Sequence, residues 1–257
     1  MKRTQTDIEI GTVSEPLELL CRSLDRQADL AALPRRAARR RIVDALVRRA
    51  ELLAGAPPPP AAEPLVVVGA PGSPRAARLR SALLEANPGL MRPGPPTDPD
   101  SLEPLIAAPR FELDWHVPAY AEWLLTADLR PTYRDLRRVS SRITGTETRA
   151  LLGESMHLEQ LAALKAVMPG VAVVRVVDDP AHEDRSAIEA AIAARESSTG
   201  HVEASAISRY WTWRMQEWRS RTSDADADLI VPAKRIDSDI AAAVAEVSAA
   251  AGLCQAG

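Results

Sequence analysis

Two runs of β-branched residues, LVVV at Leu65–Val68 and VAVVRVV at Val171–Val177, constrain the fold of this chain more than any other feature. Both are apolar at nearly every position, Arg175 alone interrupting the second, so both faces of each strand need cover, and each run passes through a short turn into a helical stretch. Strands of that kind interleaved with helices assemble as a parallel sheet with helices on its faces. The expected fold class is α/β.

The rest of the chain fits that frame. Residues 1–56 read as a helical segment, with PLELLCRSL followed by RRAARRRIVDALVRRAELLAG, in which Ile42, Leu46, Arg49 and Leu53 share one side and Gly55 ends the helix. The run APPPPAAEP cannot continue a helix, because proline lacks the amide and clashes with the preceding turn, so it reads as a stiff connector. Residues 57–257 then form the α/β domain. Within it NPGLMRPGPPTDPDSLEP has no periodicity and reads as loop, while VPAYAEWLLTADL and PTYRDLRRVSSRI read as helices opened by proline. RALLGES is a short strand, HLEQLAALKAVM a helix, VEASAISRYWTWRMQEWRSR a long helix, LIVPA a last strand and DIAAAVAEVSAAAG a closing helix. On the long helix Ile207, Trp211 and Trp218 make one apolar face beside Met215, and Tyr210 and Trp213 make a second.

Composition removes several classes of function. Of the basic residues only Lys2, Lys165 and Lys234 are lysines, the net charge is -3, and the arginines between Arg35 and Arg49 wind around their helix, which is no nucleic-acid stripe. Cys21 and Cys254 stand near opposite ends with no metal-ligand or disulfide-framework spacing, so no metal is expected. No segment reaches the ~20 apolar residues that span a bilayer, and MKRTQTDIEI lacks a signal core, which predicts a cytoplasmic protein without a membrane partner.

The chemistry concentrates where LVVVG turns into GAPGSPRAARLRSALL. A strand, a glycine-containing turn and a helix start is the layout of a phosphate cradle, yet the P-loop pattern GxxxxGK[ST] asks for a lysine and a hydroxyl where this chain has Arg75, Ala76 and Ala77. Imidazole titrates near neutrality, which makes His116 and His157 the candidates for a general base; capping or core roles stay open for both. Asp178, Asp179 and Pro180 read as an acidic helix-entry turn.

Four stretches, GAPGSPRAARLRSALLEANPGL, FELDWHVPAYAEWLLTADLRPTYRDLRRV, LLGESMHLEQLAALKAVMPGV and VVRVVDDP, together resemble the bacterial branch of the PAPS-dependent sulfotransferases, with their GxPRSGTT, HVPxYxxWL, LKSPxHLxxL and HRDP motifs. The resemblance covers most of the chain and implies a shortened sulfotransferase-like, P-loop-type fold. It also implies a PAPS site, in which Gly72, Ser73 and Arg75 fall in the loop around the 5′-phosphosulfate and Ser186 at the 3′-phosphate.

Three departures weaken that site. Pro74, Arg75 and Ala76 replace a glycine and two threonines, Asp178 replaces the arginine of the 3′-phosphate, and Gly153 replaces the lysine that would steady the leaving oxygen. The stretch from Met91 to Arg110 is short for the family, and a C-terminal extension is expected after Gly257 in its relatives.

These features predict impaired PAPS binding and a chain that partners an active sulfotransferase homologue as a hetero-oligomer. The setting implied is specialised metabolism, where sulfation makes a leaving group, for instance before closure to an aziridine. Two other readings stay open: an active PAPS-dependent sulfotransferase with a rearranged site, and a scaffold or ligand-binding module.

Overall fold

The computed structural model describes residues 17–26, 32–56, 58, 61–92, 110–199 and 202–253. Its centre is β1 (Leu65–Val68), flanked in parallel by β3 (Arg149–Leu152) and β4 (Ala172–Val177). Outside these lie β2 (Leu90–Met91) and β5 (Leu229–Pro232), giving five parallel strands in the order β2-β3-β1-β4-β5. Register is set by pairs such as Leu65↔Leu151 and Leu65↔Ala172.

All four residues of β1 are buried, and strand alternation divides them between two cores. Leu65 and Val67 pack with α3 (Pro74–Ala86), α11 (Ala233–Ser238) and α12 (Ile240–Ala250), through Leu79, Leu83, Ile236, Val244 and Val247. Asn87, the C-cap of α3, donates to the Leu83 carbonyl (2.9 Å) and to the Ser248 hydroxyl (3.3 Å) on α12, which locks these helices together.

Val66 and Val68 face the second and larger core. It contains Phe111 of α4 (Arg110–Asp114), Tyr120 of α5 (Pro118–Thr126), Tyr133 of α6 (Arg130–Thr144) and Trp211 and Trp218 of α10 (Ala204–Arg221), with Ala187 and Ala191 of α9 (Pro180–Thr199). Leu20 and Leu24 of α1 (17–26) and Ala38, Ile42, Ala45 and Leu53 of α2 (Ala32–Leu53) belong to this same core.

The apolar face expected on α10 is present, with Ile207, Trp211, Met215 and Trp218 all buried. Its second aromatic face divides: Trp213 is 47% exposed, whereas the Tyr210 hydroxyl donates to Glu112 Oε1 (2.8 Å).

Three local features differ from the sequence reading. Leu90–Met91 pairs as a two-residue strand inside a stretch read as loop, anchored by the Arg149 N–H to the Gly89 carbonyl (2.7 Å). Two residues are too few to give a periodic signal. The helix read through HLEQLAALKAVM breaks into α7 (Met156–Glu159) and α8 (Leu161–Val167), because Gln160 leaves helical dihedrals and its side chain donates to the Leu124 carbonyl (2.8 Å). α11 forms a separate turn of helix directly after β5. Residues 93–109, which hold most of the short Met91–Arg110 stretch, lie outside the described residues, as does Cys254. Among the described residues no helix is long and apolar enough to cross a membrane, and no group of His, Cys, Asp or Glu could hold a metal ion.

Under the C-terminal ends of β1 and β3 lies a buried ion network. Arg214 of α10 donates through Nε to Glu112 of α4 (2.8 Å) and through both terminal nitrogens to Glu159 of α7 (2.7 and 2.8 Å). All three side chains are 4% exposed or less. Burial alone disfavours the charged guanidinium, but Glu112 and Glu159 outweigh it and raise the Arg214 pKa. Removing the cation leaves two buried carboxylates without it, so Arg214→Met should cost about 3–5 kcal/mol in urea denaturation. A loss below about 1 kcal/mol would mean that α4, α7 and α10 are held by their apolar contacts alone.

Candidate functional site

In an open parallel sheet the crevice forms at the carboxyl ends of neighbouring strands whose connections run to opposite sides. Here β1 leads through α3 to the β2 edge, and β4 leads through α9 and α10 to the β5 edge. A cavity of about 460 Å³ lies beside that point, lined by the Gly69–Pro74 turn, by Arg80, Arg92, Arg110 and Arg214, by Gly153–Ser155, and by Glu112 and Trp211.

The turn after β1 is tight for identifiable reasons. Gly72 has φ +74°, and a Cβ there would stand 2.7 Å from Ala190 Cβ and 2.7 Å from the Ser186 carbonyl oxygen, so a glycine is required where the turn rests on α9. Ser73 is the N-cap of α3, its hydroxyl accepting from the Ala76 N–H (3.3 Å), and Pro74 occupies the first helical position. Of the residues assigned to the cradle from sequence, Gly72 and Ser73 line the cavity. Ser73 spends its hydroxyl on the helix.

Arg75 turns elsewhere. Its Nη1 pairs with Asp178 at the end of β4, and its Nε donates to Asp237 of α11 (2.8 Å). The hydrogen bond it donates to Asp237, with the charge of Asp178, raises its pKa. His182 stands 3.6 Å from the other Asp178 oxygen. The acidic turn itself is built as read: Asp179 Oδ1 accepts from the Ala181 N–H (2.9 Å) at the start of α9. Ser186 meets the turn through its carbonyl beneath Gly72 and is not among the cavity-lining residues.

Gly153 carries the least expected arrangement. A Cβ at this position would lie 2.6 Å from Arg80 Nε and 2.8 Å from Arg80 Cζ, so the guanidinium of Arg80 covers the glycine and fills the space of its missing side chain. Arg80 Nη1 donates to the Val67 carbonyl (3.0 Å), and burial lowers its pKa to about 10. It therefore remains a cation at neutral pH, fixed beside the strand ends. The sequence reading did not select Arg80, since only the three-dimensional contact with Gly153 distinguishes it from the other arginines of α3.

The two histidines separate. His157 is fully buried behind the cavity wall, with Nε2 3.0 Å from Glu154 Oε2 and Nδ1 3.2 Å from the Tyr133 hydroxyl. Burial, with Glu154 and Glu159, pushes the Tyr133 pKa up, so its hydroxyl keeps its proton. In a neutral imidazole the chain of donors then runs from Tyr133 O–H to Nδ1 and from Nε2–H to Glu154. Glu154 also accepts from the Gly153 N–H (3.3 Å) and lines the cavity, which His157 does not. His116 is exposed, edge-on to Tyr210 with centroids 5.4 Å apart, and outside the cavity lining. Partial burial and the nearby Arg195 charge lower its pKa.

No family model matches this chain, and no curated protein matches it either. Two solved structures do. Sulfotransferase STF1 from Mycobacterium tuberculosis H37Rv superposes with a TM-score of 0.66 at 19% identity, over 98% of this chain and 90% of that one. Sulfotransferase STF9 from Mycobacterium avium gives 0.68 at 15% identity, over 95% of this chain and 79% of that one. The fold is sulfotransferase-like.

The seat of Arg80 over Gly153 is open to a double-mutant cycle. Gly153→Ala forces Arg80 from its place and should cost about 1–2 kcal/mol of stability in the wild-type background, and less than half of that when Arg80 is already alanine. Equal costs in the two backgrounds, measured by chemical denaturation, would show that the guanidinium does not rest on residue 153.

Proposed function

We propose that this sulfotransferase-fold chain does not hold PAPS in the manner of the family it resembles, and that it works as the partner subunit of an active sulfotransferase homologue. The observation that carries this reading is the Arg75–Asp178–Asp237 ion-pair cluster. The resemblance places Asp178 where the family has the arginine of the 3′-phosphate. Two carboxylates gather around Arg75 here, with Arg78 at the far side of Asp237 (3.8 Å), and a phosphate brought to that position would compete with Asp178 and Asp237 for these cations. The partner would then supply donor binding, in the kind of metabolism where sulfation prepares a leaving group, as in aziridine closure. Exposed apolar residues support an interface: Trp213 on α10, and Val43 with Val47 one helical turn apart on α2.

One observation favours a second reading, an active PAPS-dependent enzyme with a rearranged site. Arg80 brings a cation to residue 153, where the family has its lysine.

The two readings part on the isolated chain. Titration with 3′-phosphoadenosine 5′-phosphate should give no saturable heat in the partner reading, whereas a ligand at 100 times its Kd would add ~2.7 kcal/mol of stability in the active one. Asp178→Arg removes the competing carboxylate and should create measurable nucleotide binding; unchanged behaviour would detach this turn from the 3′-phosphate.

The partner itself is tested by light scattering of the chain mixed with a sulfotransferase encoded beside it. Trp213→Ala should weaken that complex by about 2 kcal/mol, the scale of a tryptophan anchor, with the circular dichroism of the isolated chain unchanged. A monomer that ignores the neighbour would remove the partner reading.

A further inference from the structure

One side of α2 is buried and the other is bare. Ala38, Ile42, Ala45 and Leu53 enter the core, while Arg36, Arg40, Val43, Val47 and Ala50 follow one another along the outer side at alternating steps of four and three residues. That is the spacing of a coiled-coil seam. Val43 and Val47, at its centre, are 55% and 53% exposed, more than any other large apolar side chain among the described residues. Within one chain this apolar stripe has no cover.

The charges beside the seam indicate what covers it. Arg40 is followed on one flank by Asp44, Arg48 and Glu51, in the order plus, minus, plus, minus. Among the described residues none of these four side chains makes an ion pair. Read backwards the row becomes minus, plus, minus, plus, so it is its own complement. Laying a second α2 antiparallel on the first brings this same flank of both helices together. With Val43 set against Val47 of the second copy, Arg40 comes level with the copy's Ala50 and Glu51, and Asp44 lies within one turn of the copy's Arg48. The arginine stem then has a small alanine opposite it and room to lie along the seam. A parallel copy would turn the row toward the other flank, where Leu46 carries no charge and Arg39 is already paired with Asp25 (2.6 Å). An unrelated partner gives no reason for the row to match itself.

We propose that the outer face of α2 pairs antiparallel with the same face of a second copy of this chain, Val43 against Val47 at a twofold axis and Arg40 against Glu51 on either side of it. The proposal goes beyond the partner reading and does not rest on it; Trp213, on α10, takes no part in this contact. One helix from each copy makes an interface below the ~1,200 Å² of lasting ones, so a salt-sensitive dimer of micromolar affinity is expected.

The test is sedimentation equilibrium of the full chain, which should show monomer and dimer in exchange, the dimer weakened severalfold between about 0.05 and about 0.5 M salt. Val47→Glu sets two carboxylates at the twofold axis and should raise the dimer Kd at least about 30-fold, with the circular dichroism unchanged because the position is exposed. Arg40→Glu and Glu51→Arg should each raise it about tenfold, since each turns two attractive pairs repulsive. Mixed one to one, these two variants should recover the wild-type affinity, because each supplies the charge that the other has lost. A merely structural effect of either substitution could not give that recovery. Trp213→Ala should leave the dimer unchanged, so loss of this contact and loss of the partner complex are told apart. A chain that stays monomeric to about 1 mM, a folded Val47→Glu variant that dimerises as before, or two charge variants that do not recombine would overturn the proposal. A monomeric chain whose complex with the neighbouring sulfotransferase is lost in Val47→Glu would also overturn it, and would leave the partner reading standing.

Discussion

A guanidinium taken out of water keeps its charge only where carboxylates go with it, and Arg214 meets that condition twice. Its two partners come from α4 and α7, while Arg214 itself belongs to α10, so one side chain gathers three helices that are far apart in sequence. The placement of the polar groups in the crevice depends on that junction. With α10 fixed, Trp211 stands at the cavity wall, two turns before the buried Trp218 on the same apolar face. With α7 fixed through Glu159, which is tied to Arg214, the helix buries His157 and the short segment before it carries Glu154 at the cavity. The acidic partners of a structural ion pair thus determine which way the polar groups of the site turn.

On the other side of β1 the charges are arranged less tightly. Arg75, Asp178 and Asp237 have side-chain exposures of 28%, 16% and 44%, and pairs so open to water contribute at most about 1 kcal/mol each. Their importance is positional. The cluster ties the start of α3 to the end of β4 and to α11, and it neutralises a cation at the strand ends that would otherwise face the crevice. The same helix, α3, therefore presents one arginine already spent on carboxylates and, about one and a half turns on, another that is not.

Much of the frame was legible in the chain. The strands at Leu65 and Val171 declare themselves because β-branched residues repeat with little polar interruption, and the buried face of α10 follows from the spacing of Ile207, Trp211 and Trp218. The turn at Gly72 was visible as a turn, though not its dependence on the Ser186 carbonyl, which belongs to a helix from another part of the chain. The candidate site was only partly legible. His157 carries the residue type of a base, yet the sequence contains nothing to show that Tyr133 and Glu154 enclose it. Arg80 was one arginine among many. Its role arises from an absence, the missing side chain of Gly153, and absences have no periodicity to read.

Two arginines at the strand ends, Arg80 and Arg75, stand in opposite electrostatic settings. Burial lowers the Arg80 pKa to about 10, so the fold holds this cation beside Gly153 against a desolvation penalty. The cation at Arg75, by contrast, is matched by two carboxylates and gains rather than loses basicity. Among the described residues the β4 side of the crevice thus carries a guanidinium matched by carboxylates, while the β3 side carries Arg80, whose charge burial opposes and the nearby Glu154 supports.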